Sequence, residues 1–125
     1  MKDDRRIRRV EKEIQHLVAN FLLKGFKYPL RGFVSVTRVE SNERLRTAKV
    51  FVSVMGTDED KKETMATLEE HVRDIQLVVN DLLRMRFVPR ITILLDEGME
   101  KTLKIEAALR EIELARLKNE PSTKE

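Results

Sequence analysis

The sequence predicts a single α+β domain in which three β-strands are covered on one face by helices. Apolar residues recur every three or four positions in three long stretches, a spacing typical of amphipathic helices. Three shorter runs are rich in valine, isoleucine and threonine and are bounded by turn residues, as strands are. The predicted order is helix, strand, strand, helix, helix, strand and a C-terminal helix.

The first half of the chain contains a helix and a β-hairpin. Residues 3 to 24 carry an apolar stripe and are followed by Gly25, a common helix terminator. Phe33 to Glu40 and Arg46 to Met55 are the predicted strands, and the short polar stretch between them predicts a hairpin. Phe51 falls on the strand face opposite to the alternating valines, where we expect it to pack at a sheet edge.

The middle of the chain holds the longest helical pattern, from Asp58 to about Arg86. As one rod of about 29 residues it would span ~43 Å, so we predict a break near His71 to Asp74. Val88-Pro89 ends the pattern, because the residue before a proline is disfavoured in the α region. Arg90 to Asp96 then reads as a buried strand.

The last part of the chain is predicted to be a helix from Met99 to about Lys118, followed by a polar tail. We therefore expect one domain over residues 1–118 and a disordered tail over residues 119–125.

The charge is nearly balanced in number but uneven in position. The 25 basic and 22 acidic residues give a net charge of +3. Basic residues crowd the first twelve positions, and acidic residues crowd positions 58 to 70. A protein with one basic side can bind a polyanion despite a small net charge. The alternative is that both sets are solvated helix faces.

Several classes of protein and site are disfavoured by composition. The absence of cysteine removes disulfides, thiol nucleophiles and Cys-based zinc sites. No stretch approaches the ~20 apolar residues of a membrane span, and the first residues lack the apolar core of a signal peptide. We expect no membrane association and a cytoplasmic location.

A catalytic constellation is also missing. His16 and His71 occupy unrelated helical positions, and Asp96, beside a glycine turn, is predicted to cap that turn. No glycine-rich phosphate loop, zinc-protease motif or EF-hand spacing occurs. The sequence therefore predicts no enzyme activity, no cofactor and no metal. Most of the five phenylalanines are predicted to lie in the core, so a nucleic-acid contact would depend on arginine and lysine.

Three segments in register carry a resemblance to a known family. They are Pro29-Leu30-Arg31, the run VTRVESNERLRTAKVFVSVMG from Val36 to Gly56, and Met85 to Ile91 leading to Asp96. Together they resemble bacterial ribosome-binding factor A over about residues 5 to 112. The family's central helix is interrupted at an Ala-x-Gly, where this chain has His71-Val72-Arg73.

The resemblance implies a type II KH-like fold and a non-enzymatic factor. Such a factor binds the small (30S) ribosomal subunit and 16S rRNA, and it assists late 16S rRNA processing and maturation. It takes no small-molecule substrate, and we expect it to be a monomer when free. At two further positions this chain differs from the family, with Tyr28 in place of a common aspartate and Gln76 in place of a basic residue.

The predicted RNA-facing surface consists of basic side chains from several parts of the chain. Arg73 joins it as a candidate phosphate contact at the position of the missing family glycine. The full predicted set is Arg5, Arg8, Arg9, Arg31, Arg73, Arg84, Arg86, Arg90, Lys101 and Lys104.

Two other interpretations remain open from the sequence. The chain could be a protein–protein interaction module of KH-like fold without direct RNA binding, with the acidic middle helix as its contact. It could also be a small enzyme with a site built from helical arginine and glutamate, which a deep pocket with an anionic metabolite would reveal.

Overall fold

The computed structural model describes residues 4–119, except for the side chains of residues 99–102 and 119. The elements follow the predicted order and confirm the fold class. They are α1 (Asp4–Lys24), β1 (Phe33–Ser41), β2 (Thr47–Met55), α2 (Asp58–Glu70), α3 (Val72–Leu82), β3 (Arg90–Leu95) and α4 (Gly98–Asn119).

The three strands form one mixed sheet with β2 in the centre. β1 and β2 pair antiparallel as the predicted hairpin, with a bulge between Val36 and Arg38. β2 and β3 pair parallel, so α2 and α3 form the crossover that a parallel connection requires. Because β2 is central, Phe51 lies mid-sheet, with the Arg38 guanidinium 4.0 Å from its ring centroid. The prediction of an edge position for Phe51 is therefore wrong.

The hydrophobic core lies between one face of the sheet and the helices α1, α2 and α3. Helical side chains at three- and four-residue spacing, such as Ile14, Val18, Ile75 and Val79, are completely buried. The alternating valines of β2, among them Val50, meet them from the sheet. Period-two alternation in the strands and helical periodicity in the helices thus converge on one core, as predicted.

The long middle pattern is broken at His71, within the predicted range. Thr57 begins α2 with a capping box, in which its hydroxyl accepts from the Asp60 N–H and the Asp60 carboxylate accepts from the Thr57 N–H. The His71 ring stacks on Tyr28 at 3.5 Å between centroids, and both rings contact Phe26 edge-on. An aromatic cluster from the α1–β1 connection therefore packs against the break.

The second half of that pattern ends earlier than predicted. α3 stops at Leu82 rather than near Arg86. Leu83 has extended backbone angles (φ −83°, ψ 120°), while its N–H still donates to the Val79 carbonyl. Its side chain is buried in the core. Burying Leu83 turns the chain out of the helix and leaves the segment 83–89 to connect α3 with β3.

α4 differs from the other helices because it adds no side chain to the core formed by the described residues. Its apolar side chains between residues 103 and 118 are exposed, for example Leu103 at 58% and Ile112 at 63%. At about 100° per residue, Leu103, Leu114 and Leu117 fall on one side of the helix, and Ile105, Leu109 and Ile112 fall on the other. No helix within residues 4–119 is long and apolar enough to cross a membrane.

Candidate nucleic-acid interface

The parallel pairing of β2 and β3 brings arginines from distant parts of the chain together. Arg90 begins β3 opposite Thr47, the first residue of β2. The Arg90 N–H donates to the Arg46 carbonyl at 2.9 Å, outside the regular ladder. The hairpin loop and the start of β3 therefore share one end of the sheet.

A recess of about 630 Å³ opens at this end. It is lined by Arg6 of α1, by Arg44 and Arg46 of the hairpin loop, and by Arg86 and Phe87 of the 83–89 segment, with Glu43 also present. We call the set Arg6, Arg44, Arg46, Arg86 and Arg90 the basic end. A concentration of guanidinium groups of this kind favours binding of phosphate.

Four more predicted residues belong to this neighbourhood or lie beside it. The Glu11 carboxylate accepts from the backbone N–H of Ser41 at 2.8 Å, which fixes the start of α1 at the hairpin end of the sheet. The exposed side chains of Arg5, Arg8 and Arg9 therefore extend from α1 close to the basic end. Arg84 is exposed on the 83–89 segment, directly before Met85 and Arg86.

The structure does not bring the remaining predicted residues to the basic end. Arg31 precedes β1 at the other end of the sheet and forms an ion pair with Glu63 at 2.9 Å. Arg73 is exposed in the first turn of α3, beside the His71 break. Lys104 lines a separate recess together with residues of α2, including Asp58 and Glu69. The side chain of Lys101 lies outside the described part of the structure.

Sequence reasoning missed Arg6, Arg44, Arg46 and Phe87. The first three are arginines without a motif, and only the parallel pairing of β2 with β3 places the hairpin loop beside Arg90. Phe87 is an exception to the prediction that most phenylalanines lie in the core, because 76% of it is exposed. Phe33 is a second exception, at 66% exposed. A signal for Phe87 was present, since it lies between Arg86 and a Val-Pro pair in a segment without helical periodicity.

Comparison with known proteins decides the family. A family model described as ribosome-binding factor A matches residues 6–109. The chain belongs to the ribosome-binding factor A family. A ribosome-binding factor A of Bdellovibrio bacteriovorus is 45% identical over 121 residues, covering 97% of this chain and 90% of that protein. The resemblance seen in the sequence is thereby confirmed, and with it membership of a family of non-enzymatic factors.

Solved structures agree with the fold. The solution NMR structure of a Thermotoga maritima protein matches with a TM-score of 0.64 at 33% identity, covering 72% of this chain and 86% of that chain. A Thermus thermophilus ribosome-binding factor A, as a homology model fitted into a cryo-EM map of a 30S complex, matches with a TM-score of 0.56 at 20% identity. That match covers 73% of this chain and 96% of that chain, and at this identity it shows a shared fold.

In this member of the ribosome-binding factor A family, Gln76 holds the start of β3. Its Nε2 donates to the Pro89 carbonyl at 3.0 Å, and its Oε1 accepts from the Ile91 N–H at 2.7 Å. These bonds flank Arg90 and close the 83–89 segment, which Leu83 and the fully buried Pro89 anchor at its two ends. The glutamine thus fixes the backbone that carries Arg86, Phe87 and Arg90.

Replacing Gln76 with alanine is expected to lower the free energy of unfolding by about 1–3 kcal/mol, because two partly buried backbone groups lose their partner. Urea unfolding followed by circular dichroism measures the change. Gln15→Ala is the matched control, since Gln15 donates to the Val36 carbonyl at a longer 3.3 Å. Equal losses in the two variants would contradict a specific anchoring of β3 by Gln76.

Asp96 ties the end of β3 to β1 and to the start of α4. Its Oδ2 accepts from the Thr37 hydroxyl at 2.7 Å, its Oδ1 accepts from the Gly98 N–H at 3.0 Å, and the Arg38 Nε lies 3.6 Å away. The turn-capping prediction for Asp96 is confirmed. The hydrogen bond from Thr37 does most to lower the pKa of the Asp96 carboxyl; those from Gly98 and Arg38 act in the same direction, and desolvation opposes them.

A lowered pKa in the folded state fixes the sign of the pH dependence. The stabilisation by ionised Asp96 is fully present above its unfolded pKa of about 4 and is lost as the pH falls through the folded pKa. Asp96→Asn is therefore expected to be less stable than the wild type by a constant amount above about pH 5, with the difference shrinking at lower pH. Thermal unfolding of both proteins over a pH series tests this, and a pH-independent difference would contradict it.

Proposed function

We propose that the protein binds the small (30S) ribosomal subunit through its basic end and assists late 16S rRNA processing and maturation as a non-enzymatic factor in the cytoplasm. The single observation that carries the proposal is the convergence of five arginines from α1, the hairpin loop, the 83–89 segment and β3 in a chain of this family. The Thermus thermophilus factor fitted into a 30S map supports the choice of partner.

The geometry favours recognition of the phosphate backbone over sequence readout. A guanidinium group can donate two parallel hydrogen bonds to one phosphate. Arginines that are distributed around one recess can therefore contact successive phosphates of a curved RNA strand. Each phosphate contact releases counterions. For each contact, the logarithm of the binding constant should therefore fall by about 0.7–0.9 units per tenfold increase in salt concentration. A salt-sensitive interaction follows, even though the net charge of the protein is only +3.

The binding unit in this proposal is the single domain of residues 1–118, acting as a monomer when free. Support for a single unit comes from the one core that the described residues of α1 to β3 build together. The predicted disordered tail begins at residue 119, which is the last residue of α4, and residues 120–125 lie outside the described structure.

Co-sedimentation with isolated small and large ribosomal subunits over a salt series tests the function. Selective, salt-sensitive retention on the small subunit is expected. Equal retention on both subunits would contradict a specific interface and leave a general affinity for RNA. No retention even at low salt would favour the alternative of a protein–protein interaction module, with the acidic middle helix, α2, as its contact.

A further inference from the structure

Phe87 is an aromatic side chain displayed to solvent among arginines. The ring is 76% exposed, and it lines the same recess as Arg44, Arg46 and Arg86. The ring of Phe87 is not part of the hydrophobic core, whereas Phe26 in the aromatic cluster packs against three other rings. An exposed aromatic side chain within a positively charged groove is the arrangement with which proteins bind single-stranded nucleic acids.

The backbone holds Phe87 outward. The flanking Leu83 and Pro89 are buried, and Gln76 fixes the carbonyl of Pro89 and the N–H of Ile91. The Met85 N–H donates to the Leu83 carbonyl at 3.0 Å, which tightens the segment further. A backbone fixed in this way loses little conformational freedom on binding, so a stacking partner meets a segment that is already in place.

The surroundings of the ring define the ligand. The Arg86 guanidinium lies over the Phe87 ring, 5.5 Å from its centroid, which leaves the opposite face for a second planar group. Arg44 and Arg46 line the same recess, whose volume of about 630 Å³ is large enough for a nucleotide. A nucleotide fits this site, because its planar base can stack on the Phe87 ring and its phosphate can bind the arginines.

We propose that the recess binds one unpaired RNA nucleotide, with its base stacked on Phe87 and its phosphate held by Arg44 and Arg46. This inference rests on the proposed function and deepens it by naming the kind of RNA that the basic end recognises. A base inside a duplex is already stacked on its neighbours and cannot reach the ring. The site therefore selects a loop, a bulge or a free end over a continuous helix.

The chain has no tryptophan, so a tryptophan introduced at position 87 is a unique fluorophore at the site. Phe87→Trp is titrated with a single-stranded RNA of about eight nucleotides made of adenine and cytosine, which cannot pair with itself. Phe33→Trp is the matched control, because Phe33 is similarly exposed at the other end of the sheet. The same strand annealed to its complement is the second control.

Quenching of Phe87→Trp by the single strand, with little quenching by the duplex or in Phe33→Trp, is expected. Equal quenching at both positions, equal quenching by the duplex, or no quenching at position 87 would each overturn the inference. If the wild-type protein is nevertheless retained on small subunits, the proposed function stands while the nucleotide site falls. If retention also fails, the proposed function falls as well.

Two conservative variants separate stacking from apolar contact. Phe87→Leu keeps an apolar side chain without a π-face and is expected to weaken binding of the single strand by about 5- to 150-fold. Phe87→Tyr keeps the ring and should bind as the wild type does. Thermal unfolding of both should be unchanged, since the side chain is outside the core. Loss of subunit retention in Phe87→Leu with unchanged oligonucleotide binding would assign the ring to a protein contact and overturn the inference.

Discussion

Exchanging Arg44, Arg46, Arg86 and Arg90 for glutamine is expected to abolish most retention of the protein on small ribosomal subunits. With about 1 kcal/mol lost per phosphate contact, affinity should fall by roughly two to three orders of magnitude. The slope of log K against log salt should decrease by about three units, at 0.7–0.9 per contact. Co-sedimentation over a salt series yields both quantities in one experiment.

A control with the same change in net charge makes the result specific. It replaces four exposed basic residues away from the basic end, namely Lys24, Lys27, Lys62 and Arg73. This variant should retain most of its affinity, because its lost charges lie away from the recess. A comparable loss in the control would show that general attraction by positive charge drives binding. It would contradict the proposal that the basic end is the specific binding surface.

Replacing Gly32 with alanine is expected to give the largest loss of stability from a single methyl group. Gly32 has φ +82°, a conformation that L side chains rarely adopt, and an added Cβ would overlap the Met55 carbonyl oxygen. Backbone strain of about 1–3 kcal/mol and overpacking of about 1–3 kcal/mol should together lower the free energy of unfolding substantially. The pairing of Phe33 with Met55, where β1 begins, would be lost first.

Urea unfolding of Gly32→Ala against the wild type measures this loss. Gly98→Ala is the matched control, because an added Cβ at Gly98 would approach only the Asp96 Oδ1, at 3.2 Å. Alanine there is also a better helix former, so a change within about 1 kcal/mol is expected. Wild-type stability in Gly32→Ala would show that the end of β2 moves away without cost.

Much of the fold could be predicted because its signals are local. Periodicity located α1, the hairpin and β3, and the size of the domain required the break at His71 although no glycine or proline marks it. The end of α3 was predicted too late because Leu83 continues the apolar pattern of the helix, although its backbone is extended. A buried position looks the same in the sequence whichever backbone conformation delivers it.

The candidate site was predicted only in part, because it is a property of strand pairing. Arg86 and Arg90 stood out beside the Val-Pro pair, whereas Arg44 and Arg46 acquire their place only when β3 pairs parallel to β2. Arg31 and Arg73 resembled them by residue type yet lie away from the recess, with Arg31 paired to Glu63. Residue type alone does not say which end of a sheet a side chain occupies.

The direction of β2 also separates opposite charges along the molecule. The nine residues of β2 span about 27 Å between the basic end and the acidic first turn of α2 (Asp58, Glu59 and Asp60), at roughly 3.4 Å per residue. The domain is therefore an electric dipole with a net charge of only +3, and the field of a polyanion turns its basic end toward the polyanion. Approach with the acidic turn leading is repelled, so the molecule should arrive already oriented.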